Sequence, residues 1–326
     1  MPPRTVQLKV VRPNTSETAR PRPPLLRALG RSEPPLDVEI GGSSYRRIEV
    51  LKHDSWAATA IYQSPQERIV CKFNRKQNIL GVPAGWIGRW LATRESFFLQ
   101  KLADLPNVPD CRGPVSSDGR LLPHCSAHLY VEGHPLRRWE FVDDEFFPRL
   151  RQIIETLHQR GIAYVDLHKR ENVIAGDDGQ PHLIDFQVCF MRPQNRWLAW
   201  ALQWVERLLK DMDRYHLSKH VFFHRPDLAG WDLTRHQKKK QRPWLIRAHR
   251  LVARPLRTLR RKFLVAIRVR RGVGLADSEH FPEDAVRHDH LNKWPRKSRH
   301  ATRMEETTLK AGRMNGRRAG RRRKAF

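Results

Sequence analysis

"YVDLHKRENVIAGDDGQPHLIDF", residues 164–186, sets Asp166, Asn172 and Asp185 in polar turns between short apolar runs. Asp and Asn are ordinary turn residues, because their side chains fold back onto the backbone and tolerate unusual dihedrals. Hard oxygen donors at the edges of short strands are also what a metal and phosphate site requires. The flanking chain decides between the two readings. Just upstream, DDEFFPRLRQIIETLHQRG (143–161) has acids at its start, Phe147, Leu150, Ile154 and Leu157 on one face, and Gly161 as a stop, which predicts a helix. Val173–Ala175 and His182–Phe186 predict a hairpin around the turn GDDG. The stretch is thus helix, short strand, loop and hairpin, with the three polar residues at strand edges.

Further upstream, YRRIEVL (45–51), WAATAIY (56–62) and RIVCKF (68–73) are short β-branched and aromatic runs separated by polar turns at KHDS and QSPQE, the pattern of an antiparallel meander. AGWIGRWLATRESFFLQKLAD (84–104) carries Trp86, Trp90, Phe97 and Leu102 at helical intervals and predicts a helix on that sheet. RLLPHCSAHLYVEGHPL (120–136) predicts one more strand running into a loop at Glu132 and Gly133. Residues 1–43, rich in Pro, Arg and Ser, predict a flexible leader, with order starting near Tyr45. Beyond the opening stretch, RWLAWALQWVERLLKDMDRYH (196–216) predicts a strongly apolar helix. Residues 243–272 place Leu245, Val252, Leu256, Leu259 and Phe263 along a seam with arginines between them and Pro255 as a break.

The net charge of +28 is unevenly placed. Residues 191–326 hold 36 Lys/Arg against 12 Asp/Glu, a surplus of 24, and residues 1–190 hold 26 against 22. The basic character therefore belongs to the C-terminal part, and the tail ending GRRRKAF predicts disorder and polyanion binding. Cys71, Cys111, Cys125 and Cys189 form no CxxC pair and no zinc-ligand spacing. A reducing cytoplasm is expected, with any membrane contact made peripherally on the inner face. No uncharged apolar run approaches the ~20 residues needed to span a bilayer.

LHQRGIAYVDL (157–167), ENVI (171–174) and LIDF (183–186) together resemble the catalytic and metal loops of protein kinases. VCKF with Lys72 is similar to the strand-three lysine motif, and the helix containing Glu95 stands where that superfamily keeps its glutamate helix. Four features in the same order are far more specific than any one. The resemblance covers roughly residues 45–215 and implies an α+β, two-lobed protein-kinase-like fold. Its small β-rich lobe would span about 45–133 and its mostly helical lobe 134–230. A basic helical extension (231–275) and a basic tail (276–326) would follow.

The resemblance also implies roles. Asp166 would accept or orient the acceptor hydroxyl, Asn172 and Asp185 would hold Mg²⁺, and Lys72, held by Glu95, would pair with the ATP α/β-phosphates. The backbone at Tyr130, Val131 and Glu132 would face adenine, and His168 or Lys169 would contact phosphate. Phosphoryl transfer needs mainly positioning and charge neutralisation, which suits this set. Asp211 or Asp213 would support the catalytic loop.

The departures define a subtype. Tyr164-Val165-Asp166 replaces His-Arg-Asp, so the arginine that reads a phosphorylated activation loop is missing. One extra residue separates Asp166 from Asn172, and Gln187 replaces the glycine after Asp-Phe, which predicts a preset loop. LKHDSWAATA, where phosphates would be covered, has no glycine, and the segment after Phe186 is short. This compact form resembles the RIO kinases and the bacterial lipopolysaccharide core kinases. The acceptor implied is a protein Ser/Thr or a glycolipid sugar hydroxyl. The contrasting expectation is a pseudokinase that binds nucleotide and uses its basic C-terminal region on RNA or an acidic membrane surface.

Overall fold

Three strands succeed one another as antiparallel neighbours: β2 (Ser43–His53), β3 (Ala57–Gln63) and β4 (Arg68–Asn74). They extend to β1 (Asp37–Ile40) and the short β5 (Ser116–Ser117) and β6 (Arg120–Leu121) on one side, and to β7 (Cys125–Leu129) on the other. The result is a seven-stranded sheet in the order β6-β5-β1-β2-β3-β4-β7. The computed structural model describes residues 23–78, 82–137, 140 and 142–225, with scattered helical positions between 251 and 266. All of these belong to one compact unit, Met1–Arg287. The class is mixed α+β, with a curled antiparallel sheet followed by helices and two small sheets.

Alternation along the strands sorts side chains onto two faces. Ala58, Ala60 and Tyr62 of β3 join Ile69, Cys71 and Phe73 of β4 in one core, with Val38, Tyr45, Val115 and Ala127. Val70 packs instead with Ile61 and Tyr130, and the period of two puts Lys72 and Asn74 on that same face.

The helix α1 (Gly85–Lys101) packs on β4 and β7 as expected, with three of the four residues that mark its spacing turned to solvent. Its buried residues are Gly88, Ala92, Glu95, Phe98 and Leu99, whereas Trp86, Trp90 and Phe97 are exposed at 61%, 52% and 44%. The turn of helix that meets the sheet needs small residues: a Cβ on Gly88 would lie 2.2 Å from the Arg75 carbonyl oxygen. Close approach selects that face at Gly88, and burial of Phe98 and Leu99 in the core selects it nearer the end of the helix.

A second core joins the end of α1 to α2 (Phe146–Gln159) and to α3 (Arg196–His224). It contains Leu102, Phe147, Leu150, Ile154 and Leu157, with Tyr164, Leu167, Phe186, Leu217 and Val221 from later segments of the chain. Gly161 takes a φ of +73° and ends α2 as expected. The hairpin forms between β10 (Val173–Gly176) and β11 (Pro181–Leu183), with β8 (Gly133–Pro135) on its other edge. Its second strand ends at Leu183, three residues short of the expected Phe186. A separate pair joins β9 (Ile162–Ala163) to β12 (Phe190–Met191).

The expected flexible leader is corrected from Pro23 onward. Ala28 and Val38 are fully buried, β1 adds an edge to the sheet, and Ala28 N donates to Asp54 O at 2.7 Å. Pro and Arg in this stretch serve packing: Tyr62 Oη donates to Pro35 O at 2.7 Å, and Pro34 O accepts from Arg47. Residues 1–22, the seam positions Leu245 and Val252 and the tail beyond 266 lie outside the described residues.

Candidate active site

Lys72 is where the three parts of the site meet. Its Nζ lies 2.7 Å from Asp185 Oδ1 and 3.6 Å from Glu95 Oε1. Burial opposes a charge on Lys72, but Asp185 and Glu95 outweigh it and raise its pKa. Glu95 is 1% exposed, a buried carboxylate and not a solvated helix charge. Ser126 lies opposite Lys72 in the β4–β7 register and donates Oγ to Glu95 Oε2 at 2.6 Å.

Gln187 completes this arrangement. Its Nε2 donates to Glu95 Oε2 at 3.0 Å and to Asn74 Oδ1 at 2.8 Å. The residue that replaces the usual glycine therefore ties the 185–189 loop to β4 and α1. Arg94, beside Glu95, holds the same loop from outside, donating Nε to Gln187 O at 3.0 Å and Nη2 to Cys189 O. Neither side chain's bonds are legible in the sequence, whose only signal is an arginine one position before the buried glutamate.

The second half is built around Asp166, which is 5% exposed. Its Oδ2 accepts from Lys169 Nζ at 2.6 Å and Asn172 Nδ2 at 3.0 Å, while His168 Nδ1 lies 3.1 Å from Oδ1. Burial resists ionisation of Asp166, and the hydrogen bond from His168 with the charge of Lys169 prevails, holding the carboxyl below its usual range. Asp185 obeys the same logic: burial raises it, and Lys72 and Lys169 bring it down. Both are therefore carboxylates at neutral pH.

Two residues in this region carry positive φ without being glycine, Val165 at +70° and Asp185 at +63°. A β-branched residue there is strained, and such strain persists only where surroundings enforce it. For Val165 the enforcing group is Asp213, fully buried on α3. It accepts from Tyr164 N and Val165 N, each at 2.8 Å, and lies 3.0 Å from His158 Nε2. Of the two aspartates expected to support the loop, Asp213 does so. Asp211 is exposed and pairs with Arg214. His158 packs behind the loop as a partner of Asp213.

Tyr164, where the common motif has histidine, links the two loops. Its hydroxyl donates to Ile184 O and its ring packs edge-on against Phe186 at 5.3 Å. Ile184 N also donates to Asn172 O at 3.1 Å, so Asp166, Asn172 and Asp185 sit on one braced framework.

The linker expected to meet adenine runs between β7 and β8. Tyr130 N donates to Arg68 O, Glu132 O accepts from Asp177 N at 3.0 Å, and Arg68 pairs with the Glu132 carboxylate. No backbone hydrogen bond engages Val131 among the described residues. Gly133 (φ +146°) comes next because a Cβ there would lie 2.3 Å from Ala175 O. A groove of about 420 Å³ beside the linker is lined by Leu105, Val108, Asp110, Tyr130, Glu132 and His182, and none of the Lys72 cluster reaches it.

The turn between β2 and β3, Asp54–Trp56, is tightly tied. Asp54 Oδ1 accepts from Trp56 N at 2.7 Å and Ala57 N at 3.0 Å, and Ser55 Oγ donates to Leu26 O. The oxygen donors that could serve a hard cation are Asn172 Oδ1 and the Asp185 carboxylate, whose Oδ1 pairs with Lys72. Among the described residues, no three His, Cys, Asp or Glu side chains form a metal-binding group. Compared with models of protein families and with curated proteins, the chain matches none.

Proposed function

We propose that the chain is an ATP- and Mg²⁺-dependent phosphotransferase of two-lobed, protein-kinase-like architecture that acts on a hydroxyl acceptor. The observation that carries this reading is Lys72 bridging Asp185 and Glu95, within a framework that also fixes Asp166 and Asn172. Isolated lysines and aspartates rarely arrange a buried ammonium between two carboxylates beside a strained loop, and such perturbed groups gather at functional sites. Mg²⁺, held by Asp185 and Asn172, would neutralise phosphate charge. Lys72 would hold the α/β-phosphates, and the Asp166 carboxylate would orient the acceptor hydroxyl and take its proton. Lys169, now paired with Asp166, would turn to the transferred phosphoryl group.

An atypical serine/threonine protein-kinase-like activity is the simplest form. A sugar hydroxyl of a glycolipid is the alternative acceptor, favoured by the short segment between Phe186 and α3. One observation favours a different class, a nucleotide-binding pseudokinase. The Asp54 carboxylate already occupies the Trp56 and Ala57 amides, where backbone NH groups would otherwise meet phosphate.

Mg²⁺-dependent ATP turnover by the full chain, beside Asp166→Asn and Asp185→Ala, separates the two. Turnover lost in both variants, with ATP binding retained in Asp166→Asn, is the expected outcome. Wild type and variants equally inactive while still binding ATP would sink the enzyme reading. Labelled phosphate appearing on Ser/Thr peptide or on glycolipid then identifies the acceptor class.

A further inference from the structure

The first turns of α3 present apolar side chains to solvent. Asn195 caps this helix, its Oδ1 accepting from Trp197 N at 3.0 Å and Leu198 N at 3.2 Å, so α3 is ordered from its first residue. Trp197, Trp200 and Trp204 are 79%, 75% and 61% exposed, and Leu198 is 54% exposed. At about 100° per residue the three indoles fall within roughly 60° of arc, a single stripe. Not one residue from Arg196 to Val205 is fully buried, whereas His216, Leu217, His220 and Val221 of the same helix are. Arg196 and Arg207, both exposed, lie together on one flank of the stripe.

We infer that this face is a docking surface for an anionic lipid bilayer. Indole is the side chain that settles at a membrane–water boundary, with its ring in the acyl region and its N–H among headgroups. Flanking arginines can extend their guanidinium groups to lipid phosphates. Among the described residues no helix is long and apolar enough to cross a membrane, so the contact would lie in the interface plane. Charge selects the occupant. A second copy of a chain carrying +28 would bring like charge to an arginine-flanked face, and an acidic surface brings the opposite. The described seam positions Leu256, Leu259 and Phe263, with neighbouring Leu251, are themselves exposed at 54% or more, so they do not cover the indoles. That seam is a second apolar stripe set among basic residues.

This inference is independent of catalysis and is tested without nucleotide. Full-length protein is sedimented with vesicles of phosphatidylcholine alone and of equimolar phosphatidylcholine and phosphatidylglycerol. Wild type should partition onto the acidic vesicles only. Trp197→Ser/Trp200→Ser/Trp204→Ser should lower that partition by about ten-fold or more, while Leu121→Ser, an exposed leucine on β6, leaves it unchanged. Circular dichroism confirms that all variants fold alike. A triple variant that partitions like wild type would assign lipid contact to the basic C-terminal segments and overturn the inference. Equal partition of wild type onto neutral vesicles would also overturn it. So would a triple variant that instead loses RNA retention or changes solution mass, because the face would then serve nucleic acid or another copy.

Discussion

Gln187 Nε2 and Glu95 Oε2 lie 3.0 Å apart in a buried hydrogen bond that joins the loop after Asp185 to the middle of α1. The same nitrogen reaches Asn74 on β4, so one side chain closes three elements around Lys72. A glycine here could form neither bond and would let the loop sample other dihedrals.

Gln187→Gly should therefore leave Asn74 and Glu95 each short of a donor in a buried setting, costing about 1–3 kcal/mol. A fall of several degrees in melting temperature is the expected reading. An unchanged melting temperature would show that the amide is dispensable to the preset loop.

Asp213→Asn replaces a carboxylate that receives three donors with an amide that presents its own NH₂ to one of them. The expected loss is about 2–4 kcal/mol, read from the denaturation midpoint. Asp211→Asn, two residues away on the exposed side, should stay within about 0.5 kcal/mol of wild type. Equal effects from both would contradict the assignment of Asp213 as the loop's anchor.

Gly88→Ala places a Cβ against the Arg75 carbonyl, so α1 must move and carry Glu95 away from Lys72. Destabilisation of about 1–3 kcal/mol is expected. Gly85→Ala, whose nearest neighbour would be an ordinary 3.9 Å away, should be neutral or slightly stabilising. Thermal melts of the two variants side by side check this.

Acid should weaken the fold through α3. Burial lowers His216 and His220 to about 3, against an ordinary value near 6.5 in the unfolded chain. Between these values the unfolded state binds more protons than the folded one. Stability is thus unaffected by this pair above about pH 6.5, and falls by about 1.4 kcal/mol per pH unit for each histidine as pH drops toward 3. Denaturant midpoints across that window measure the slope. His220→Gln, which can keep a donor for Leu167 O, should flatten it.

Much of this is legible in the sequence because spacing carries it. The meander, α2 with its terminal glycine and the hairpin emerge from local periodicity, whereas Lys72, Glu95, Asp166, Asn172 and Asp185 are grouped only by what the resemblance to protein kinases implies. The misses share a physical cause. Residues 23–43 fold because Tyr62, Arg47 and Arg75 supply partners for their backbone, and those contacts are distant in sequence. The face of α1 escapes a reading by periodicity because large aromatics outweigh Gly88 and Ala92 in any hydrophobic count, although only small residues fit against Arg75. The bonds of Gln187, Arg94 and Tyr164 join loops whose proximity exists only after folding.

Arg75 ties together segments beside the seven-stranded sheet that lie far apart in the chain. Its guanidinium donates to Ser55 O at 2.6 Å and to Leu25 O at 3.0 Å, the latter across 50 residues of chain. The β2–β3 and β3–β4 pairings close short loops, the bond to Ser55 closes one of 20 residues and the bond to Leu25 one of 50. Loop-closure entropy favours the two meander pairings ahead of the Leu25 contact, so the segment from Pro23 is the expected late arrival on β2, β3 and β4.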